Sequence, residues 1–358
     1  MPIEPFAHSR RCRPRLAAVL LLISIGAWGP LHGESEPAAA DYAGILSFYH
    51  ENDIYLSDDS NYTSGFGFTW VSNDEATYRE RNLVRRMVRG GAFLPSVGDA
   101  GFRSYVSFNI GQEIYTPEDI TAVPPPPDQQ PYAGVLFFDT AVYGHSSHEM
   151  DAYTLRIGCV GPCSGAEQTQ KAIHERVGSP IPQGWEYQLV NEFIINLDYQ
   201  HYQRVKRKAE RGSVQYDITW RGGGGFGNYY IGANLGIEVR VGYGLPDSYG
   251  VSGRRSSGAS SFVGAVPPPR RVWWGFAFAG LQGFAVGRFL PTDGNTFQDS
   301  PSVERDDFTG NLTTGFVVGY RRFVLSWTLN NVSGLSALSN SSDDDFGALT
   351  FSFYFPKR

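Results

Sequence analysis

The sequence predicts a membrane-embedded antiparallel β-barrel of about twelve strands, all-β except for a short helix in one external loop. Segments in which every second residue is apolar or aromatic recur along the chain, as in YIGANLGIEVRVGY at 230–243 and FGALTFSFYF at 346–355. The composition joins 42 glycines and 14% aromatic residues to only 18% charged ones, which suits many strands with one greasy face. Beyond residue 28 no apolar run approaches the roughly 20 residues a membrane helix needs, so any crossing is made by strands.

The chain opens on a basic patch, Arg10, Arg11, Arg13 and Arg15, followed by the apolar run Leu16–Trp28. That order, with Ala38, Ala39 and Ala40 near a cleavage point, reads as a secretory signal. Residues 1–40 are therefore expected to be removed and 41–358 to form the barrel. The alternating segments that follow are Ile45–Glu51, Tyr62–Val71, Phe102–Glu113, Ala133–Gly144, Ala152–Cys159 and Leu189–Tyr202. Val214–Arg221, Tyr229–Tyr243, Val272–Val286, Asp307–Tyr320, Phe323–Asn330 and Gly347–Phe355 complete the series. Most are near the roughly 9–11 residues a tilted membrane strand needs, and an even number closes an up-and-down barrel with both ends on the periplasmic side. A soluble β-sandwich shares the period of two. Here, however, the strands are long, charges within them are rare, and Tyr and Trp gather at strand ends like an interfacial girdle.

If the first strand runs outward, the segments Asp53–Asn61, Ile114–Tyr132 and Val160–Gln188 share the external face. On the other side, Ser72–Gly101 and Gly244–Arg270 are long for periplasmic turns, and YRERNLVRRMVR within the first reads as a small basic helix.

The third external segment holds the helix, within CVGPCSGAEQTQKAIHERVGSPIPQGW. Ser164 and Glu167 have the spacing of a capping box, and Gly178 with Pro180 stops the helix. Gln170 and His174 are four apart and share one face. His174 is the candidate catalytic residue because a polar helix interrupting a barrel needs a reason, and the other mature histidines lie on or beside strands. Of the 3 cysteines, Cys12 leaves with the signal. Cys159 and Cys163 are then a pair in an exported protein, and a disulfide suits them better than a metal.

Two further segments offer chemistry. HENDIY places Asn52 and Asp53 at the end of the first strand, with Asp58 and Asp59 beyond. Clustered oxygens of this kind suit Ca2+, although the same residues are ordinary turn formers. Thr63 and Ser64 lie in NYTSG, where Ser64 is a conceivable nucleophile, but there is no G-x-S-x-G elbow. A formal charge of −6 and the lack of a phosphate-cradling loop argue against nucleic acid.

In these residues the chain resembles the outer-membrane lipid A 3′-O-deacylase family. The matching pieces are N-D at Asn52–Asp53, Y-T-x-G at Tyr62–Gly65, G-Q-x-I-Y-x-P at Gly111–Pro117 and P-Y-A-G at Pro131–Gly134. V-G-P at Val160–Pro162, Q-x-x-x-H at Gln170–His174, G-W at Gly184–Trp185 and L-P-T-D-G-N-T-F at Leu290–Phe297 follow in order. The resemblance covers nearly all of the mature chain. It implies a twelve-stranded barrel in the outer membrane and Ca2+-dependent hydrolysis of the acyl ester at the 3′ position of lipid A. The substrate would be lipopolysaccharide, met by a site facing the external leaflet. It also implies that His174 is the general base with Gln170 beside it, while Asn52, Asp53 and Thr63 line the metal and oxyanion region. Two positions depart from the family pattern. An acidic residue expected shortly after the histidine falls at Pro180, and a lysine expected after I-Y-x-P has no counterpart in EDITAVPPPPDQQ. An outer-membrane phospholipase, with a serine nucleophile, and a non-catalytic porin or lipid-transport barrel are the competing readings.

Overall fold

The computed structural model describes residues 42–52, 55, 62–208, 210, 212–249, 270–334 and 345–356. The expected signal segment 1–40, with Cys12, lies outside them, as do Asp53, Asp58 and Asp59 and the side chain of Thr63. Twelve strands form one closed barrel in which each pairs antiparallel with its sequence neighbours and the last returns to the first. They are β1 Tyr42–Asn52, β2 Tyr62–Ser72, β3 Arg103–Tyr115, β4 Ala133–His145, β5 Glu149–Val160 and β6 Glu192–Lys208. The other half is β7 Gln215–Gly227, β8 Tyr230–Tyr243, β9 Arg270–Phe289, β10 Phe308–Arg321, β11 Phe323–Gly334 and β12 Phe346–Pro356. Every strand expected from the alternation is present.

Side chains alternate across a strand, so each strand has an inner and an outer column. The columns are inverted relative to a soluble protein. Ile110, Leu197 and Leu281 are between half and 60% exposed, whereas Glu113 and Arg156 have 1% exposure or less. Apolar groups on the outside and ionic groups within is the arrangement of a barrel solvated by lipid. Trp70, Phe108 and Phe138 stack across β2, β3 and β4 on that outer surface, with ring centres 5.8 and 6.0 Å apart.

The inner columns carry buried ion pairs. Arg156 donates to both oxygens of Asp139 at 2.8 and 3.0 Å and to Glu113 at 3.2 Å, with its guanidinium 3.7 Å from the centre of the Phe137 ring. Glu113 also accepts from the hydroxyls of Tyr115 and Tyr229. Toward the other rim, the segment 244–249 after β8 enters the barrel. There Arg240 donates to Asp217 at 2.8 Å and to Ser248 Oγ at 3.0 Å, and Asp247 pairs with Arg204 at 2.6 Å and Arg207 at 2.7 Å. Tyr249 lies under the Arg204 guanidinium and edge-on to His145.

Antiparallel order puts the β3–β4 and β5–β6 connections at the rim where β1 ends and β2 begins. The β2–β3 connection, 73–102, lies at the opposite rim and contains α1, Leu83–Gly90, capped by the Asn82 side chain at Val84 N. Val84 and Val88 of α1 bury against Val97 and Val106, with Trp70, Phe108, Val142 and Tyr153 around them. All five strand residues belong to outer columns, so this connection lies against the outside of the wall rather than across the mouth. The basic helix read from YRERNLVRRMVR is there, and its long connection is accounted for by that seat.

Candidate active site

The helix α2 spans Ala166–Val177 and is built by the five residues before it. Cys159, at the end of β5, and Cys163 are joined by a disulfide with Cα atoms 6.3 Å apart. The loop so closed contains Gly161 at φ 97°, where an added Cβ would meet Leu189 O at 2.7 Å, and a short 3-10 turn, Pro162–Ser164. Gly165, at φ 69°, then starts the helix. The expected capping box is not formed. Ser164 lies one residue too early, held in the 3-10 turn with its hydroxyl donating to Gly161 O at 2.6 Å. Glu167 pairs forward with Lys171 at 2.7 Å instead of reaching back. The stop at Gly178 is as expected: it has φ 77° and its N–H donates to His174 O at 2.9 Å. Peptide mapping without reduction should show Cys159 linked to Cys163, and two freely alkylated thiols would remove this staple.

The strand registers fix where α2 sits. Asn52 opposes Ser64, Ser64 opposes Ile114, and Ile114 opposes Gly134, making one row across the outer faces of β1 to β4. The β4 end of this row is the seat of α2. A Cβ on Gly134 would lie 2.3 Å from both Ala166 Cβ and Ser164 Oγ, so only glycine lets the helix approach. Ile114, Tyr132, Ala166 and Trp185 form a small buried cluster beneath it, with the Tyr132 and Trp185 rings 4.9 Å apart. The Tyr132 hydroxyl donates to Ile120 O at 2.9 Å, and burial pushes its pKa up to about 12, so it stays neutral. Gln112, one step down the outer column of β3, donates to Ser164 O at 2.6 Å. Gly134→Val should therefore displace α2 while leaving twelve paired strands. The expected result is heat-resistant barrel mobility on a gel with activity reduced at least about tenfold, the scale of a misplaced catalytic group.

On α2, Gln170 is 2% exposed and accepts from the Trp185 indole N–H at 2.8 Å. An indole N–H can only donate, so the Gln170 carbonyl oxygen must face it. The amide NH2 of Gln170 is left buried with no hydrogen-bond partner. Gln112 is its complement: its NH2 is spent on a carbonyl, and its own Oε1 is buried without a partner. His174, half-buried one turn along, has Nδ1 2.6 Å from Pro180 O. A carbonyl only accepts, so Nδ1 carries the proton in the neutral ring and Nε2 keeps its lone pair.

Of the residues singled out from sequence, Gln170 and His174 are brought onto α2 beside β3 and β4, and Asn52 ends the same outer row at β1, half-buried. Ser64, in the middle of the row, donates its hydroxyl to Glu51 O at 3.2 Å and has no imidazole partner among the described hydrogen bonds. His50, one step down β1, meets the Tyr55 hydroxyl through Nδ1 at 2.9 Å. Among the described residues no three His, Cys, Asp or Glu side chains converge as a metal cluster. Asn52 offers an amide oxygen at the end of β1 and the sequence adds the Asp53 carboxylate, oxygen donors of the kind a hard cation prefers. Gln112, Trp185 and Tyr55 received no role from sequence. For Gln112 the signal was present, because it interrupts an outward column of Ile110 and Ile114 with an amide that lipid would not tolerate unpaired.

Comparison with known proteins fits this geometry. The chain matches the family of outer membrane protein LpxR over residues 16–355. No curated protein matches it significantly. Among solved structures it is similar to LpxR from Salmonella typhimurium, with a TM-score of 0.69 at 17% identity, covering 87% of this chain and 100% of that one. Weaker likeness is found to the β domain of the Bordetella autotransporter BrkA, with a TM-score of 0.41 at 8% identity over 88% of this chain and 99% of that one. The translocator domain of NalP from Neisseria meningitidis gives 0.39 at 8% identity, over 88% of each chain. The first likeness supports the barrel fold, and the match over nearly the whole sequence supplies the identity: this chain belongs to the LpxR family of outer membrane proteins.

Proposed function

We propose that the protein is a Ca2+-dependent esterase that removes the 3′-O-linked acyl group of lipid A, with its site at the external leaflet. The observation that carries the proposal is the docking of α2, with Gln170 and His174, onto the lipid-facing side of the wall. Such a site meets a membrane lipid without a passage through the lumen. The lone Ser64 hydroxyl, bonded to a main-chain carbonyl, does not favour a phospholipase with a serine nucleophile.

The chemistry follows from the side chains. Pro180 O holds His174 Nδ1–H, so Nε2 can take a proton from a water molecule as that water attacks the ester carbonyl. Gln170, with its amide buried and its carbonyl oxygen held by the Trp185 indole N–H, positions the helix beside the oxyanion region. When the tetrahedral intermediate collapses, the C–O bond to the sugar breaks, and the imidazolium returns its proton to the departing alkoxide. The products are a free sugar hydroxyl and a carboxylic acid. Asn52 and Asp53 would hold the Ca2+, which when bound polarises the ester carbonyl. Thr63, next to Ser64 on β2, is assigned to the same oxyanion region. Pro180 stands where the family pattern has an acidic residue, and its carbonyl orients the histidine ring without a charge.

Lipid A from a Gram-negative host expressing this protein should lose the mass of one 3′ acyloxyacyl unit. Purified protein in detergent should lose turnover in excess chelator and regain it with Ca2+. An unchanged mass profile, with the protein verified in the outer membrane, counts against deacylation. Persistent turnover in chelator removes the metal alone.

A further inference from the structure

The β2–β3 connection forms an apron on the outer wall at the rim opposite α2, and nothing in the reaction above uses it. Its inner side is apolar and anchored. Val84 and Val88 cover the outward-facing Val106 of β3, and Ser96, at φ 67°, donates its hydroxyl to Asp151 on the outer face of β5. Asp151 is fixed in turn by the Tyr199 hydroxyl and His201 Nδ1, both at 2.8 Å. Its other side is strongly basic: the stretch 79–89 has five arginines against a single glutamate. Arg85 is neutralised by Glu75 at 3.1 Å and Arg89 lies 3.7 Å from Glu80. Arg79, Arg81 and Arg86 are exposed with no ion pair among the described residues.

The apron's height on the wall decides what those arginines meet. The next outward residues toward mid-strand from Val106 are Phe108 and Ile110, about 7 Å per step of two residues. These belong to the apolar belt. Trp70, Phe108 and Tyr153 border α1 like an aromatic girdle, and Phe93, just past α1, is 83% exposed. A short helix with an apolar side on the wall, arginines opposite and an exposed phenylalanine beside it lies at headgroup level.

We propose that this apron is a docking surface for anionic phospholipid headgroups of the leaflet opposite the candidate active site. Arg79, Arg81 and Arg86 receive the phosphates and Phe93 enters the acyl region. The inference rests on the barrel and its register and is independent of the deacylase reading.

The test uses the full mature protein in detergent, incubated with an equimolar mixture of phosphatidylglycerol and phosphatidylethanolamine, with retained lipid counted by native mass spectrometry. Phosphatidylglycerol should be favoured by about tenfold or more, since each interfacial arginine adds to the attraction of an anionic surface. The combined variant Arg79→Gln, Arg81→Gln, Arg86→Gln should lose that preference while keeping its melting temperature. In the unaltered protein, raised ionic strength should reduce the same preference, which tests the surface even if the variant folds poorly. Equal retention of the two lipids, salt-independent retention, or an undiminished preference in a folded variant would overturn the proposal. So would added lipid A displacing phosphatidylglycerol from the unaltered protein but not from the variant, because the arginines would then serve the other lipid.

Discussion

His174→Ala is expected to lower deacylation by about 10²–10⁴-fold, the usual cost of removing a general base, while barrel folding and membrane insertion survive. The imidazole is half-buried on a loop helix and contributes nothing to strand pairing, so the loss should fall on turnover and spare heat-resistant gel mobility. His174→Gln should be equally inactive, since an amide cannot accept the water proton near neutral pH. Ser64→Ala is the matched control. It removes one hydroxyl bonded to Glu51 O and should cost no more than a few-fold in rate. An inactive Ser64→Ala variant, with an acyl adduct trapped on Ser64 in the unaltered protein, would reverse the two roles.

Arg156→Met should produce the largest stability change, about 3–5 kcal/mol, because it strands charges that the native structure pairs inside the barrel. Arg156 has no solvent exposure and bridges Asp139 on β4 with Glu113 on β3. Methionine fills part of the volume, but two buried carboxylates then face each other without a cation. Denaturant unfolding of the reconstituted protein, followed by tryptophan fluorescence, reads the change. Adding Asp139→Asn to Arg156→Met should recover part of the loss by removing one stranded charge. A difference below about 1 kcal/mol would mean that water or rearrangement compensates inside the lumen.

The twelve strands were legible because a wall between lipid and a polar interior forces a period of two on every strand. Their ends were less so: β6 runs to Lys208 rather than Tyr202, because Arg204, Lys206, Arg207 and Lys208 at its end interrupt the apolar rhythm. Gln170 and His174 could be placed together from spacing alone, since four residues on a helix is a local distance. The capping box failed for a reason spacing does not contain. A disulfide and two glycines of positive φ, at 161 and 165, decide where the helix begins, and they move Ser164 out of register with it. Which side of the wall α2 and α1 occupy is set by pairings such as Ile114 with Gly134, between strands a loop apart. The same non-local information turns Gln112 from an oddity in a strand into the partner of Ser164 O.

The row from Asn52 to Gly134 lies on the barrel's outside, and this changes the dimensionality of the encounter with an acylated lipid. Pulling a twelve-carbon chain from the bilayer into water would cost on the order of 10 kcal/mol, at about 0.8 kcal/mol per methylene. A lipid sliding along the leaflet to the row would never leave its solvent and would be spared that cost. Turnover would then follow the mole fraction of substrate in the surface rather than its bulk concentration. Diluting lipid A with inert detergent at constant total lipid A should slow the protein, and no increase in stirring or volume would restore the rate.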